Sequence, residues 1–109
     1  MPGEISRQFY DGAAFTATNG ATTSPRQAFG NAAAAIMFVT AGNATQVNWH
    51  VARGSDDVPL PAYDATGVAI TQAVTTGRAY EVPASLFAAR YIVPVTSSGT
   101  ASIILSSKG

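Results

Sequence analysis

The sequence predicts an all-β fold: an antiparallel β-sandwich or jelly-roll-like domain of seven to eight short strands with one short helical turn. Three observations carry this. β-prone runs alternate with Gly, Ser, Asn, Asp and Pro turn signals every 8 to 12 residues, the spacing of sandwiches and barrels. Thr45 to Arg53 alternates strictly, with Val47, Trp49 and Val51 on one face and Gln46, Asn48 and His50 on the other. No segment shows an amphipathic helical period.

The elements follow in order. Met1 to Gly12 is polar and aromatic without a packing period, and is expected to be an arm held mainly by a neighbouring chain. Residues 13–109 then form one domain, as the length of 109 residues suggests. Ala13 to Thr18 reads as a first strand, ended by Asn19-Gly20. Ala28-Phe29 begins a short strand. Ala32 to Ala35 has helical propensity, but four alanines do not nucleate a helix unaided. Ile36-Met37-Phe38-Val39-Thr40 favours a strand, so residues 33–40 are predicted as a buried strand, with Ala41-Gly42-Asn43-Ala44 turning the chain.

Gly54-Ser55-Asp56-Asp57 closes the Trp49 strand. Val58 to Tyr63 is extended, and its two prolines confine it to an edge. Asp64-Ala65-Thr66-Gly67 has the residue preferences of a type I turn. Val68 to Val74 alternates again, with Val68, Ile70 and Val74 on one face. Arg78 to Val82 is a short strand. Pro83 to Ala89 is the one helical candidate, a single turn that would tuck Leu86 and Phe87 under the sheets. Arg90 to Thr96 and Thr100 to Ser107, joined by Ser97-Ser98-Gly99, read as a β-hairpin. The core is expected to gather Val47, Trp49 and Val51 with Ile36, Phe38, Ile70, Tyr91, Val93 and Ile103.

Composition narrows the function classes. Hydrophobic residues make up 47%, much of it alanine, and charged residues only 11% with a formal net charge of zero. A typical soluble domain carries about 25% charged residues. Such a surface is weakly protected against association and suits a protein that lives in an assembly. The six basic residues, Arg7, Arg26, Arg53, Arg78, Arg90 and Lys108, are scattered and show no patch, so nucleic acid is not an expected partner. Cysteine is absent, which removes disulfide scaffolds and thiolate chemistry. Met1-Pro2-Gly3-Glu4 lacks the basic and apolar regions of a signal peptide. No apolar run approaches the ~20 residues of a membrane helix.

The chemistry-bearing residues have bland readings that outweigh the sharp ones. His50, the only histidine, sits mid-strand with no nucleophile motif nearby and reads as a strand-face residue. Asp56, Asp57 and Asp64 are a conceivable oxygen-ligand set for a cation, but turn chemistry accounts for all three. Asp11 and Glu81 are isolated in sequence, without the paired arrangement of a glycosidase. Trp49 is a conceivable sugar platform, but its valine neighbours two residues away on each side favour core burial. No catalytic, cofactor or metal site is expected, and the chain is not expected to be an enzyme.

The motifs Val47-Asn48-Trp49, Gly54-Ser55-Asp56-Asp57, Tyr63-Asp64-Ala65-Thr66-Gly67, Thr76-Gly77-Arg78-Ala79-Tyr80 and Leu86-Phe87-Ala88-Ala89-Arg90-Tyr91-Ile92 resemble a pattern of small tailed-phage structural proteins. The resemblance covers roughly the C-terminal 60 residues and consists of strand and turn motifs. It implies a β-sandwich module in a virion: a capsid decoration, or cement, protein on the outer shell, made in the host cytoplasm. The implied partner is the major capsid protein. A homo-oligomer is expected, a trimer first, because icosahedral shells offer three-fold positions. The alternative is a phage tail or fibre module that binds a host-surface glycan.

Overall fold

The computed structural model describes residues 9–18, 27–28 and 34–108. They form two antiparallel sheets packed face to face, with one 3-10 turn between them. The first sheet contains β1 (Phe9–Asp11), β2 (Phe15–Thr18), β4 (Ala34–Gly42), β8 (Arg78–Glu81) and β10 (Thr100–Lys108). β4 lies along one flank of β10, and β1 and β2 follow each other along its other flank. β8 closes the sheet beyond β4. The second sheet contains β3 (Gln27–Ala28), β5 (Gln46–Ala52), β6 (Leu60–Pro61), β7 (Thr71–Ala73) and β9 (Tyr91–Thr96), with β5 and β9 paired at its centre. The all-β sandwich read from the sequence is thus the observed architecture. The helical candidate is a 3-10 turn over Ala84–Ala88, with Leu86 buried and Phe87 packed against the core.

The core forms where the alternating faces of the two sheets meet. Met37, Val39, Phe15, Ala101, Ile103 and Leu105 enter from the first sheet, and Val47, Trp49 and Ile92 from the second. Trp49 is 1% exposed. Val51 and Ile70 are partly buried against this cluster. Two expected core residues face the other way. Ile36 and Phe38 point out of the first sheet and are 38% and 41% exposed. Ile36-Met37-Phe38-Val39 is apolar at every position, so it carries no parity of its own. The ladder sets the parity instead: Met37 pairs with Leu105 and Val39 with Ile103, and paired side chains share a face.

Val93 and Tyr91 are also displaced from the expected core. β9 pairs Ile92, Pro94 and Thr96 with Val51, Trp49 and Val47, which places these on the inner face. Tyr91, Val93 and Val95 share the outer face with Ala52, His50 and Asn48. Val93 and Val95 are nonetheless buried there. Both faces of β9 are therefore covered, as its nearly unbroken apolar sequence permits.

The C-terminal hairpin does not form. β9 lies in the second sheet and β10 in the first, so Ser97-Ser98-Gly99 carries the chain across the sandwich. A turn sequence of this kind reverses the chain equally well within a sheet or between sheets. The partner strands decide, and β10 finds a nine-residue partner in β4. Three crossings lie side by side at this end: residues 43–45, 74–77 and 97–99. Asn43 ties two of them. Its backbone N–H donates to the Thr100 carbonyl at 2.9 Å, and its side-chain Oδ1 accepts from the Thr100 N–H at 3.1 Å. The Val74 N–H donates to the Thr45 carbonyl at 2.9 Å, and Thr76 Oγ1 to the Gly42 carbonyl at 2.8 Å, which joins the third. Ala41 and Gly42, expected to turn the chain, instead finish β4. Gly42 has φ +109°, and a Cβ there would overlap the Thr100 carbonyl oxygen.

The arm boundary also differs from the expectation. Phe9, Tyr10 and Asp11 pair with Lys108, Ser107 and Ser106 of the same chain, and the Gly12 N–H donates to the Leu105 carbonyl. This part of the expected arm is an edge strand of the first sheet. The rest of that segment, residues 1–8, lies outside the described residues.

Candidate functional site

The chemistry-bearing residues do not converge. His50 is half-buried on the outer face of the second sheet, its Nδ1 3.3 Å from the Asn48 backbone oxygen. Asp11 and Glu81 occupy one row across the first sheet, through Ser106 and Ile36, with two strands between them. Three strand spacings separate their backbones by about 14 Å, against the ~5–9.5 Å between paired glycosidase carboxyl groups. Asp57 Oδ2 pairs with Arg53 Nε at 3.4 Å across exposed surface. Asp64 Oδ1 is engaged in its own turn. It accepts from the Thr66 N–H at 2.9 Å, the Thr66 hydroxyl at 2.7 Å and the Val68 N–H at 3.0 Å. The Thr66 hydroxyl, then the Val68 N–H, hold its carboxyl below the ordinary value of 3.8. Among the described residues no group of three or more His, Cys, Asp or Glu converges, and Asp56, Asp57 and Asp64 are separate turn residues. Trp49 is core. Its Nε1–H donates to Gln72 Oε1 at 2.8 Å, and Gln72 Nε2 donates to the Glu81 carbonyl at 2.8 Å, which links the second sheet to the edge of the first.

The distinctive surface is the free edge of the second sheet. β6 and β7 run in one line along β5. Leu60 and Pro61 face Val51 and His50, and Thr71 to Ala73 face Asn48 to Gln46. Between them the chain leaves the sheet and returns. The Ala62 N–H donates to the Trp49 carbonyl, the Trp49 N–H to the Ile70 carbonyl, and the Ile70 N–H to the Ala62 carbonyl, so the sheet closes beneath the excursion. The excursion is a small hairpin in which Tyr63 bridges Ala69. The Gly67 N–H donates to the Asp64 carbonyl, and Gly67 takes φ +85°. The predicted turn at Asp64 to Gly67 is therefore present. Val68, expected on the inner face with Ile70 and Val74, is exposed on this hairpin.

This edge carries most of the exposed large apolar side chains among the described residues. Val58 is 75% exposed, Leu60 64%, Tyr63 60% and Val68 60%. Its β6 stretch is poor in donors for strand addition. The Ala62–Trp49 bond fixes the alternation, so the N–H of position 60 turns toward β5 and those of 59 and 61 turn outward. Both outward positions are proline, which has no N–H to offer.

Beside the edge, Val51, Arg53, Asp57, Val58, Leu60, Ala89 and Arg90 line an open groove of about 780 Å³. Val58 and Leu60 supply apolar walls. Arg53 and Arg90 supply the positive charge, from residues far apart in sequence. Neither residue pair stood out in the sequence, where the basic residues are scattered. The signal was the Pro-Leu-Pro alternation, which marks an edge poor in donors for pairing but open to contact.

Comparison with protein-family models, curated proteins and solved structures finds no match to this chain.

Proposed function

We propose that the chain is a virion structural protein of the capsid decoration type, which binds the outer surface of an assembled shell and stabilises it without performing chemistry. The observation that carries this reading is the apolar edge: four large side chains, Val58, Leu60, Tyr63 and Val68, exposed within eleven positions of a chain with few charges. Exposed apolar groups concentrated in one segment mark a surface that a partner covers. The resemblance of residues 47–92 to small tailed-phage structural proteins supplies the setting. In that setting the partner is the major capsid protein, the location is the capsid exterior, and the protein is a homo-oligomer, with a trimer first. Stabilisation follows from mass action, because a ligand that binds only the assembled lattice shifts the equilibrium toward assembly.

The test compares particles with and without the protein under heat and low osmolarity, together with its copy number and position in purified particles. Hundreds of copies on the shell and higher particle stability are expected. Equal stability, with the protein at the tail and binding on a glycan array, would replace this reading with the host-glycan module. For that alternative, Trp49 is buried and offers no platform. Tyr63 and Phe38, the exposed aromatic side chains among the described residues, lie on different sheets.

A further inference from the structure

We infer that the groove between Arg53, Arg90, Val58 and Leu60 is a docking site for an extended acidic–apolar peptide segment of the partner protein. The segment's carboxylate sits on the two guanidinium groups, and its neighbouring apolar side chain lies on Val58 and Leu60. The inference rests on the reading that this protein docks onto a protein surface, and names the chemistry of that contact.

Register supplies the first reason. Ala52 pairs with Tyr91 at the end of the β5–β9 ladder, so the next positions in line are Arg53 and Arg90. Like charges placed opposite each other across two strands destabilise the pair. Arg90 has no carboxylate partner among the described residues. Asp57 engages Arg53 through Nε at 3.4 Å, and the planar guanidinium has five N–H donors, more than one carboxylate contact uses. Two cations that line one groove with a single carboxylate, which pairs with Arg53, leave room there for a second anion. Guanidinium groups take carboxylates through paired, charge-assisted hydrogen bonds.

The walls supply the second reason. Val58 and Leu60, the two most exposed of the large apolar residues, line the same groove. An anion alone would leave them wet. A multiply charged phosphate would meet the Asp57 carboxylate and the apolar walls. A single carboxylate beside an apolar side chain matches both parts. The prolines at 59 and 61 supply the third reason, since they leave β6 poor in donors for an added strand and shift recognition toward side chains. Each contact is then modest, and an oligomer on a repeating lattice gains its hold from several at once.

The test titrates the intact chain, followed by amide NMR, with a panel of blocked heptapeptides. Each carries one glutamate or aspartate flanked by leucine, valine or phenylalanine. At least one member is expected to shift the Arg53, Val58, Leu60 and Arg90 amides saturably. Its glutamine or asparagine counterpart should bind at least tenfold weaker. Arg90→Gln and Leu60→Ser should each weaken binding about tenfold, with Trp49 fluorescence unchanged as the check that the fold is intact. No saturable binding across the panel would overturn the inference. So would equal binding of the amide peptides, shifts confined to another surface, or tighter binding of a phosphopeptide or an oligonucleotide in the same groove. Particle binding separates this inference from the function above. If the native chain and Arg90→Gln bind particles equally, the groove assignment falls and the capsid reading stands. If the native chain binds no particle, the capsid reading falls and the peptide titration still decides the groove.

Discussion

Trp49 shows what a single side chain holds here. Its ring fills the space between the sheets, and its one polar atom is satisfied by Gln72. Trp49→Ala should cost about 3–5 kcal/mol, read from denaturant unfolding. Gln72→Ala should cost about 1–3 kcal/mol, because the buried indole N–H loses its acceptor. A neutral result for Gln72→Ala would mean that another group takes over that hydrogen bond. The inward position of Trp49 was legible because polar residues separate it from its valine neighbours. The role of Gln72 was not, because its partners lie 23 and 9 residues away and no local pattern joins them. Asp64 gives a pH prediction of known sign. Its folded value lies below 3.8, so its grip on the hairpin is fully present above 3.8 and is lost as pH falls through the folded value. The Thr66 and Val68 amide shifts should titrate together with a midpoint below 3.8. A midpoint above it would show that the carboxylate does not staple this turn.

At the scale of the element, the decisive quantity is which strand finds which partner. Local pattern located most strands within a few residues and placed the 3-10 turn. It misassigned the connection through Ser97-Ser98-Gly99, since turn residues reverse a chain without saying whether it stays in its sheet. It also misphased Ile36 and Phe38, because a run of four apolar residues has no alternation. The Val58 to Tyr63 edge was legible, as two prolines leave few alternatives. The exposed proline of β6 yields a prediction: Pro61→Thr restores an outward N–H group and should promote self-association, seen as a concentration-dependent rise in mass by light scattering. A chain that stays unchanged in mass would show that the edge is protected by other means. The glycines separate two effects. Gly67→Ala, at φ +85° with open space around it, should cost about 1–3 kcal/mol from backbone strain alone. Gly42→Ala adds a clash with the Thr100 backbone to a similar strain and should cost clearly more. Equal costs would mean that β10 yields without penalty.

The whole molecule is a sandwich whose sheets are tied together repeatedly. Asn43 joins two crossings, Thr76 and Val74 join the third, and Gln72 spans from Trp49 to Glu81. The inner-face residues of each sheet, Met37, Val39, Ile103 and Leu105 on one and Val47, Trp49 and Ile92 on the other, are packed in one shared cluster. Loss of either sheet therefore exposes the inner face of the other. The prediction is one cooperative unfolding transition. Near-ultraviolet circular dichroism, which senses the packing of Trp49, and far-ultraviolet circular dichroism, which senses the strands, should give the same midpoint and slope in denaturant. Separate midpoints would show that the crossings do not couple the sheets, and that the edge carrying Val58 and Leu60 opens independently of the fold beneath it.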